Sequence, residues 1–301
     1  MSLSKKLLFG TKLCFLFVFI TFSSFGQTAL QTQMDQFAKK VKGNLGFCAI
    51  VLETGATASY NGDKQFPMQS VYKFPIAMAV LDKVDKGELG IEQSVRVDRS
   101  EFIPEAGHSP IREKFPDGVD ITVRDLIRYN VAESDGTACD VLLRLLGGTE
   151  NADRYIHKLG VNDIAISTTE MVQVADDSIQ YRNWATPKSM TKLLQIFYTA
   201  NVLSDKSKTL LLNDMIESTP GAKRLKGLLP SGTIVAHKTG TAGTFNGLTR
   251  ATNDAGIITL PNGNHLAITV FISDSYDSHS ERELVIAQVA KAAFDFWATG
   301  K

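Results

Sequence analysis

Residues 67–78 read Pro-Met-Gln-Ser-Val-Tyr-Lys-Phe-Pro-Ile-Ala-Met, and this stretch decides how the middle of the chain folds. The apolar run from Phe74 predicts a buried helix, and Pro75 fits its first turn, where a missing backbone N–H costs least. Ser70 and Lys73 then lie one turn apart on one helix face. A serine at a helix N-terminus lies in a positive field, and an uncharged lysine beside it can take its proton. The stretch therefore predicts a nucleophilic serine together with its base.

Two further short motifs follow along the chain. Ser134-Asp135-Gly136 offers a serine that can shuttle a proton, although a Ser-Asp pair is also a common helix cap. Lys238-Thr239-Gly240-Thr241 ends a β-branched stretch and offers a strand edge on which a substrate carboxylate can lie. The backbone N–H groups of Thr241 and Ser70 would form an oxyanion hole. Each motif is weak alone, since Ser-x-x-Lys occurs three times here, but together they supply the parts that open a strained amide through an acyl-enzyme.

Strand-like segments flank a helical middle. The strand patterns lie at residues 46–52, 58–60, 233–239, 255–260 and 265–273. Helical periodicity predominates between them, and Pro261-Asn262-Gly263-Asn264 indicates a hairpin turn. We therefore expect an antiparallel sheet domain formed by residues 27–66 and 216–301, with a helical domain inserted over 67–215. Active sites commonly lie at such domain boundaries.

Residues 1–26 have the composition of an export signal. A basic start at Lys5 and Lys6 precedes a mostly apolar stretch, and small residues precede a cleavage site between Gly26 and Gln27. A membrane anchor is the alternative, but the apolar stretch is interrupted at residues 10–12, whereas a bilayer span takes ~20 apolar residues. We therefore expect a periplasmic protein that has no membrane contact after cleavage.

Charge and cysteine content exclude several classes of function. Without the leader, 29 basic residues face 32 acidic ones, so nothing indicates a nucleic-acid or membrane surface. The five histidines are scattered, which argues against a zinc hydrolase, and we expect neither metal nor cofactor. Cys48 and Cys139 are the only cysteines after residue 26. A disulfide is possible in an oxidising compartment, but two buried thiols are favoured because cysteine is so often buried.

The three motifs, in this order and at this spacing, resemble those of the penicillin-recognising serine enzymes. The resemblance extends over nearly the whole mature chain, and it implies the β-lactamase/transpeptidase-like fold, an antiparallel five-stranded sheet flanked by terminal helices with an inserted helical domain. Glu170 opens a segment up to Pro187 that resembles the omega loop of class A β-lactamases, whose glutamate activates the deacylating water. Ala175-Asp176-Asp177 and Asn253-Asp254 resemble the subgroup that includes extended-spectrum cephalosporinases.

This resemblance implies a monomeric serine β-lactamase that hydrolyses the amide bond of penicillins and cephalosporins and so gives antibiotic resistance. Ser70 attacks the lactam carbonyl, while Lys73 or Glu170 acting through water takes its proton. Ser134 passes a proton to the ring nitrogen, and Lys238 maintains its environment and holds the substrate carboxylate. Glu170 then serves as general base for the water that cleaves the acyl-enzyme. The residues assigned to substrate binding are Thr239, Gly240, Thr241, Arg224, Gly136 and His108.

Several positions differ from the common family pattern. Gly136 stands where most members have an asparagine that contacts the substrate, so the substrate range is in question. Val174 stands where many members have an asparagine that shares the water, so Glu170 needs other help and deacylation can be slow. His108 falls near an aromatic gate position, with a solvated loop histidine as the alternative. Arg224 matches the spacing of an arginine that supports the carboxylate, whereas Arg250 is poorly aligned.

Two other functions fit parts of the pattern. A peptidoglycan DD-peptidase shares the three motifs, but it lacks the counterpart of Glu170 and usually has a second module. A non-catalytic β-lactam sensor or binder would be consistent with Gly136 and Val174, although such sensors usually have a membrane segment besides a signal.

Overall fold

In the computed structural model, which describes residues 19–298, the apolar run after Ser70 forms a central helix, α2 (Lys73–Asp85). Every residue from Lys73 to Leu81 is buried, as expected of a helix that is apolar on all sides. Burial of each large apolar side chain contributes about 1.5–3 kcal/mol. The first nine residues of the helix that carries the predicted base are therefore deeply packed in the helical region.

Ten helices and eleven strands occupy residues 19–298. The helices are α1 (Phe19–Lys40), α2, α3 (Pro110–Lys114), α4 (Val123–Val131), α5 (Gly136–Leu146), α6 (Thr149–Lys158), α7 (Glu170–Ala175), α8 (Pro187–Thr199), α9 (Asp205–Ile216) and α10 (His279–Ala298). The strands are β1 (Asn44–Val51), β2 (Thr57–Tyr60), β3 (Phe66–Pro67), β4 (Ser94–Val97), β5 (Val119–Thr122), β6 (Ile164–Ala165), β7 (Trp184–Ala185), β8 (Val235–Thr241), β9 (Thr244–Phe245), β10 (Leu248–Thr259) and β11 (His265–Ser275). Three 3₁₀ helices cover Gln69–Tyr72, Arg99–Glu101 and Asp177–Arg182.

The main sheet is antiparallel and has the order β2-β1-β11-β10-β8, which confirms the expected five strands. The short strand β9 is an addition that the sequence did not predict. It pairs with β10 and continues the pairing of β8 along that strand without a change of register: Thr241 of β8 lies opposite Thr252, and Thr244 of β9 lies opposite Thr249. The predicted turn at Gly263, whose φ is +84°, joins β10 to β11.

Each face of the sheet has its own apolar layer. One face packs against α1 and α10, and the other packs against α8 and the helical region. On the helical side, the ring of Phe66 lies 6.0 Å from that of Phe271. The helical layer also contains Cys139, and Cys48 lies on β1; both are buried free thiols, as favoured from the sequence.

The predicted signal segment up to residue 18 lies outside the described residues. Within 19–298, no helix is both long enough and apolar enough to cross a membrane.

Candidate active site

The nucleophile lies on a short turn that precedes the helix proper. Ser70 belongs to the 3₁₀ helix Gln69–Tyr72, and α2 begins only at Lys73. Gln69 has a φ of +48°, a value that is uncommon for residues other than glycine. This backbone turn places Ser70 at the cavity, just before the first residue of α2.

Lys73 joins three of the predicted site residues. Its Nζ lies 2.8 Å from Ser70 Oγ, 2.9 Å from the carbonyl oxygen of Ser134 and 2.8 Å from Glu170 Oε1. Three acceptors match the three hydrogens of an ammonium group. Lys73 is 1% exposed, so these three contacts, rather than water, satisfy its ammonium group.

Lys73 and Glu170 form a buried ion pair. Burial is the largest influence on the pKa of Lys73 and favours the neutral amine, but the charge and hydrogen bond of Glu170, together with nearby Cys139 and Asp135, outweigh it and raise the pKa. Burial likewise favours the neutral carboxyl of Glu170, but the Lys73 ammonium and a hydrogen bond from Tyr72 lower its pKa. Both groups are therefore charged in the resting protein.

Ser134 and Lys238 form the second part of the site. Ser134 has a φ of +60°, and its hydroxyl accepts a 2.8 Å hydrogen bond from Lys238 Nζ. Burial, together with the positive charge of Lys73, lowers the pKa of Lys238 well below its ordinary value. A lysine with a lowered pKa gives up a proton readily, and its acceptor here is the hydroxyl of Ser134.

The free edge of β8 passes close to the nucleophile. A Cβ on Gly240 would lie 2.3 Å from the carbonyl oxygen of Met68 and 3.2 Å from Ser70 N, so only glycine permits this approach. The N–H of Ala242 donates to Ala251 on β10. Because successive residues of an antiparallel strand alternate, the N–H of Thr241 points away from β10, towards the cavity. The geometry therefore supports Ser70 and Thr241 as an oxyanion pair.

Glu170 is held by residues that the sequence did not single out. Asp140 on α5 accepts the N–H groups of Glu170 and Met171 at 2.7 and 2.8 Å, and Tyr72 forms a hydrogen bond with the Glu170 carboxylate. The side chain of Asn183 accepts from the N–H of Thr168 at 3.0 Å and donates to its carbonyl oxygen. These two hydrogen bonds join the two ends of the loop that contains Glu170. No motif specifies these side chains, and only tertiary contact reveals their role.

The returning arm of the loop contacts two other elements. The Gln69 side chain donates to that of Gln180, which lies in the 3₁₀ helix Asp177–Arg182. The Tyr181 hydroxyl donates to Asp274 on β11, and the Arg250 guanidinium lies 5.6 Å from the centre of the Tyr181 ring. The loop is thus attached both beside the nucleophile and at the end of the main sheet.

Asp140 should make folding stability depend on pH in a characteristic direction. Burial raises its pKa to about 6 from an ordinary 3.8. The pKa of Asp140 is higher in the folded protein than in the unfolded chain. Its stabilising contribution to the free energy of unfolding is therefore fully present below pH ~3.8 and is lost as the pH rises through about 6. We expect wild type to gain about 2 kcal/mol in unfolding free energy relative to Asp140→Asn between pH 7.5 and pH 4.5. Urea unfolding of both proteins at the two pH values measures this, and a difference that does not vary with pH would contradict it.

Arg224 lies behind the substrate edge rather than in the cavity. Arg224 is 3% exposed, and its guanidinium donates to Thr241 Oγ1 at 2.6 Å, to the carbonyls of Gly240 and Asn253, and to Glu283 on α10. Since Arg224 fills an acceptor site of the Thr241 hydroxyl, the hydroxyl proton is left for a substrate carboxylate. This geometry is consistent with the predicted support of the carboxylate, exerted through Thr241.

Arg224→Ala is expected to raise the KM for cephalosporins about tenfold, the effect of losing one hydrogen bond to a charged group. Steady-state kinetics on a chromogenic cephalosporin provide the measurement. Lys223→Ala, which removes an exposed neighbouring charge, is the matched control. An unchanged KM in a folded Arg224→Ala protein would refute the assignment.

A cavity of about 580 Å³ brings most of the predicted residues together. Its lining comprises Gln69, Ser70, Lys73, Ala106, Gly107, His108, Ser134, Glu170, Gln173, Val174, Gln180, Pro220, Thr239, Thr241, Ala242 and Gly243. Gly136 is not part of this lining: a Cβ there would lie 2.4 Å from Ile103 Cδ1, so a neighbouring loop covers it. His108 does line the cavity, and its Nε2 lies 2.9 Å from the carbonyl of Glu133.

Comparisons with known proteins find similar sequences and similar structures. The sequence model of the beta-lactamase enzyme family matches residues 29–297. Beta-lactamase VEB-1 of Pseudomonas aeruginosa is 40% identical over 284 residues, which cover 94% of this chain and 95% of the relative. The extended-spectrum beta-lactamase PER-1 of Pseudomonas aeruginosa is 40% identical over 282 residues, covering 92% and 91%. The crystal structure of the TLA-1 extended spectrum beta-lactamase superposes with a TM-score of 0.88 at 43% identity, covering 91% of this chain and 99% of that one.

Proposed function

This chain belongs to the beta-lactamase enzyme family, and from that premise we propose which residues perform each step of its reaction. It is a class A serine β-lactamase: it hydrolyses the amide bond of β-lactams, cephalosporins among them, and gives resistance to these antibiotics. One observation supports the assignment of roles above all. The ammonium of Lys73 contacts the Ser70 hydroxyl and the Glu170 carboxylate at once, which joins the nucleophile and the base through one proton donor, and its third contact, the Ser134 carbonyl, fixes it beside the shuttle residue.

For acylation, we propose that the proton of Ser70 ends on Glu170. Lys73 carries its own proton in the resting state and cannot take another until it has released one. Glu170 Oε1, at 2.8 Å, is the acceptor for that release. Transfer through Lys73 and transfer through a water thus share one final acceptor, and they differ only in the path.

For collapse of the tetrahedral intermediate, Ser134 gives its proton to the departing ring nitrogen and is reprotonated by Lys238. The lowered pKa of Lys238 and the 2.8 Å contact support this role. The proton that Glu170 took from Ser70 then passes through Lys73, 2.8 Å away, to Lys238, so that Glu170 is a carboxylate again before deacylation begins. The charge on the carbonyl oxygen is stabilised by the N–H groups of Ser70 and Thr241. The substrate carboxylate lies along the strand edge beside Thr239 and Thr241.

For deacylation, Glu170 serves as general base. A carboxylate whose pKa is lowered is ionised and ready to accept a proton from water. His108 is in place to contact the substrate side chain at the cavity wall, whereas Gly136 acts only through the loop packed on it. Val174 lines the cavity and offers no hydrogen bond.

We also propose the division of the chain into a sheet domain (27–66 and 216–301) and a helical domain (67–215), which the two apolar layers support. The enzyme is proposed to act as a periplasmic monomer after cleavage between Gly26 and Gln27. The intact mass of protein released from the periplasm tests the cleavage site, and light scattering tests the oligomeric state.

The test of catalytic turnover is hydrolysis of a chromogenic cephalosporin, with the intact mass of the protein recorded during the reaction. Many turnovers per protein molecule, with little steady-state adduct, are expected of a hydrolase that deacylates through Glu170. A burst of one equivalent followed by a lasting adduct on Ser70 would instead indicate a binding protein or a DD-peptidase.

A further inference from the structure

One buried polar atom at the cavity has no partner among the described residues: Oε1 of Gln173. The Gln173 side chain is 5% exposed and lines the same cavity as Ser70, Lys73 and Glu170. Buried amide oxygens without a hydrogen bond are uncommon, because such an atom loses its contact with water and gains nothing in exchange. An unpaired acceptor in a reaction cavity therefore indicates a polar ligand that supplies the missing hydrogen.

The orientation of this amide is determined by its other end. Nε2 of Gln173 donates to the Tyr72 hydroxyl at 2.8 Å and to the carbonyl oxygen of Thr169 at 3.4 Å. A reversed amide would place oxygen against that carbonyl oxygen, which is repulsive. The Tyr72 hydroxyl uses its own proton for Glu170, so it needs a donor such as Nε2. Oε1 is therefore the end that remains for a ligand.

Glu170 and Gln173 lie close enough to share one small molecule. They are three residues apart on α7, hence on the same side of the helix. Both side chains bond to the single oxygen of Tyr72, Gln173 through Nε2 and Glu170 through its carboxylate, so Nε2 lies roughly 5 Å from the carboxylate. Oε1 belongs to the same amide, which puts it within reach of a water bound to that carboxylate. The adjacent Val174 side chain cannot supply a hydrogen bond.

We propose that Gln173 holds the water that hydrolyses the acyl-enzyme, accepting one of its hydrogens at Oε1 while Glu170 accepts the other. This inference rests on the proposed role of Glu170 as general base. A water with both hydrogens engaged directs its lone pair outward, towards the ester carbonyl on Ser70. The water oxygen bonds to that carbon, Glu170 takes the proton, the bond to Ser70 Oγ breaks, and Oγ recovers a proton from Glu170. Gln173 neither gains nor loses a proton, and its contribution is orientation.

The experiment separates acylation from deacylation in Gln173→Leu. Stopped-flow mixing with a chromogenic cephalosporin gives the two rates, and intact mass reports the adduct on Ser70. We expect the deacylation rate to fall about 10- to 100-fold, as for the loss of one hydrogen bond to a reacting group, while acylation stays within threefold. Adding Val174→Asn to Gln173→Leu places a new amide on the same cavity wall. The double variant should deacylate at least tenfold faster than Gln173→Leu alone. A merely structural role of Gln173 would not be rescued in this way.

Controls make each outcome decisive. Gln195→Leu makes the same replacement on α8, away from the cavity, and should change neither rate. Thermal unfolding checks the fold, and Gln173→Met is the second variant if leucine is not tolerated. Equal losses of acylation and deacylation, or an unchanged deacylation rate, would overturn the inference. If Glu170→Gln also deacylated at the wild-type rate, the proposed base itself would be wrong, and the two failures are thereby distinguished.

Discussion

Glu170→Gln is expected to leave an enzyme that acylates and then stops. Deacylation should fall about 10²–10⁴-fold, the usual contribution of a general base, because a carboxamide cannot take a proton from water. Acylation should survive, since loss of the Glu170 charge removes the main influence that raises the pKa of Lys73. Burial then favours the neutral amine, which lies 2.8 Å from Ser70 Oγ and can act as the base directly.

The measurement is the intact mass of the variant during reaction with a chromogenic cephalosporin, together with the size of the initial burst. A stoichiometric burst and a long-lived adduct on Ser70 are the expected results. A variant that forms no adduct would show that acylation itself requires the Glu170 carboxylate, and the route through water would be favoured. Glu133→Gln, which removes a partly exposed carboxylate near His108, is the control and should turn over normally.

The predictable part of the site is the part that local sequence determines. Ser70 and Lys73 are one turn apart, and helix geometry alone brings them together. Lys238 and Thr241 follow from strand geometry at a sheet edge. Family spacing singled out Glu170 and Arg224 as candidates, although the sequence could not show that the Arg224 guanidinium lies behind Thr241.

The unpredicted residues act through tertiary contacts. Asp140, Tyr72 and Gln173 belong to three different elements and meet only around Glu170. Tyr72 occupies one of the two positions of the Ser-x-x-Lys motif at which any residue is allowed, so the motif does not indicate its role. The extension β9 was missed because its two exposed residues carry no apolar alternation, and the only local signal was the Asn246-Gly247 turn.

Lys73→Met should abolish efficient acylation and also weaken the fold. Methionine has a similar length and no charge, so the substitution removes the ammonium without opening a large cavity. The Glu170 side chain, 13% exposed, would lose its counter-ion, and breaking a buried pair from one side costs about 3–5 kcal/mol. Acylation should fall about 10²–10⁴-fold. The route through Lys73 is lost, and burial, no longer opposed by the Lys73 ammonium, favours the neutral Glu170 carboxyl, which cannot accept the proton in the route through water.

Combining Lys73→Met with Glu170→Gln separates these two effects. The double variant carries no unpaired charge, so it should recover most of the lost unfolding free energy and none of the activity. Urea unfolding and the acylation rate of the four proteins in this cycle provide the measurements. Lys188→Met, which breaks an exposed pair with Asp63, should cost no more than about 1 kcal/mol. If Lys73→Met were as stable as wild type, Lys73 and Glu170 could not both be charged in the folded protein. That result would contradict the assignment of Glu170 as a base that is ionised in the resting enzyme.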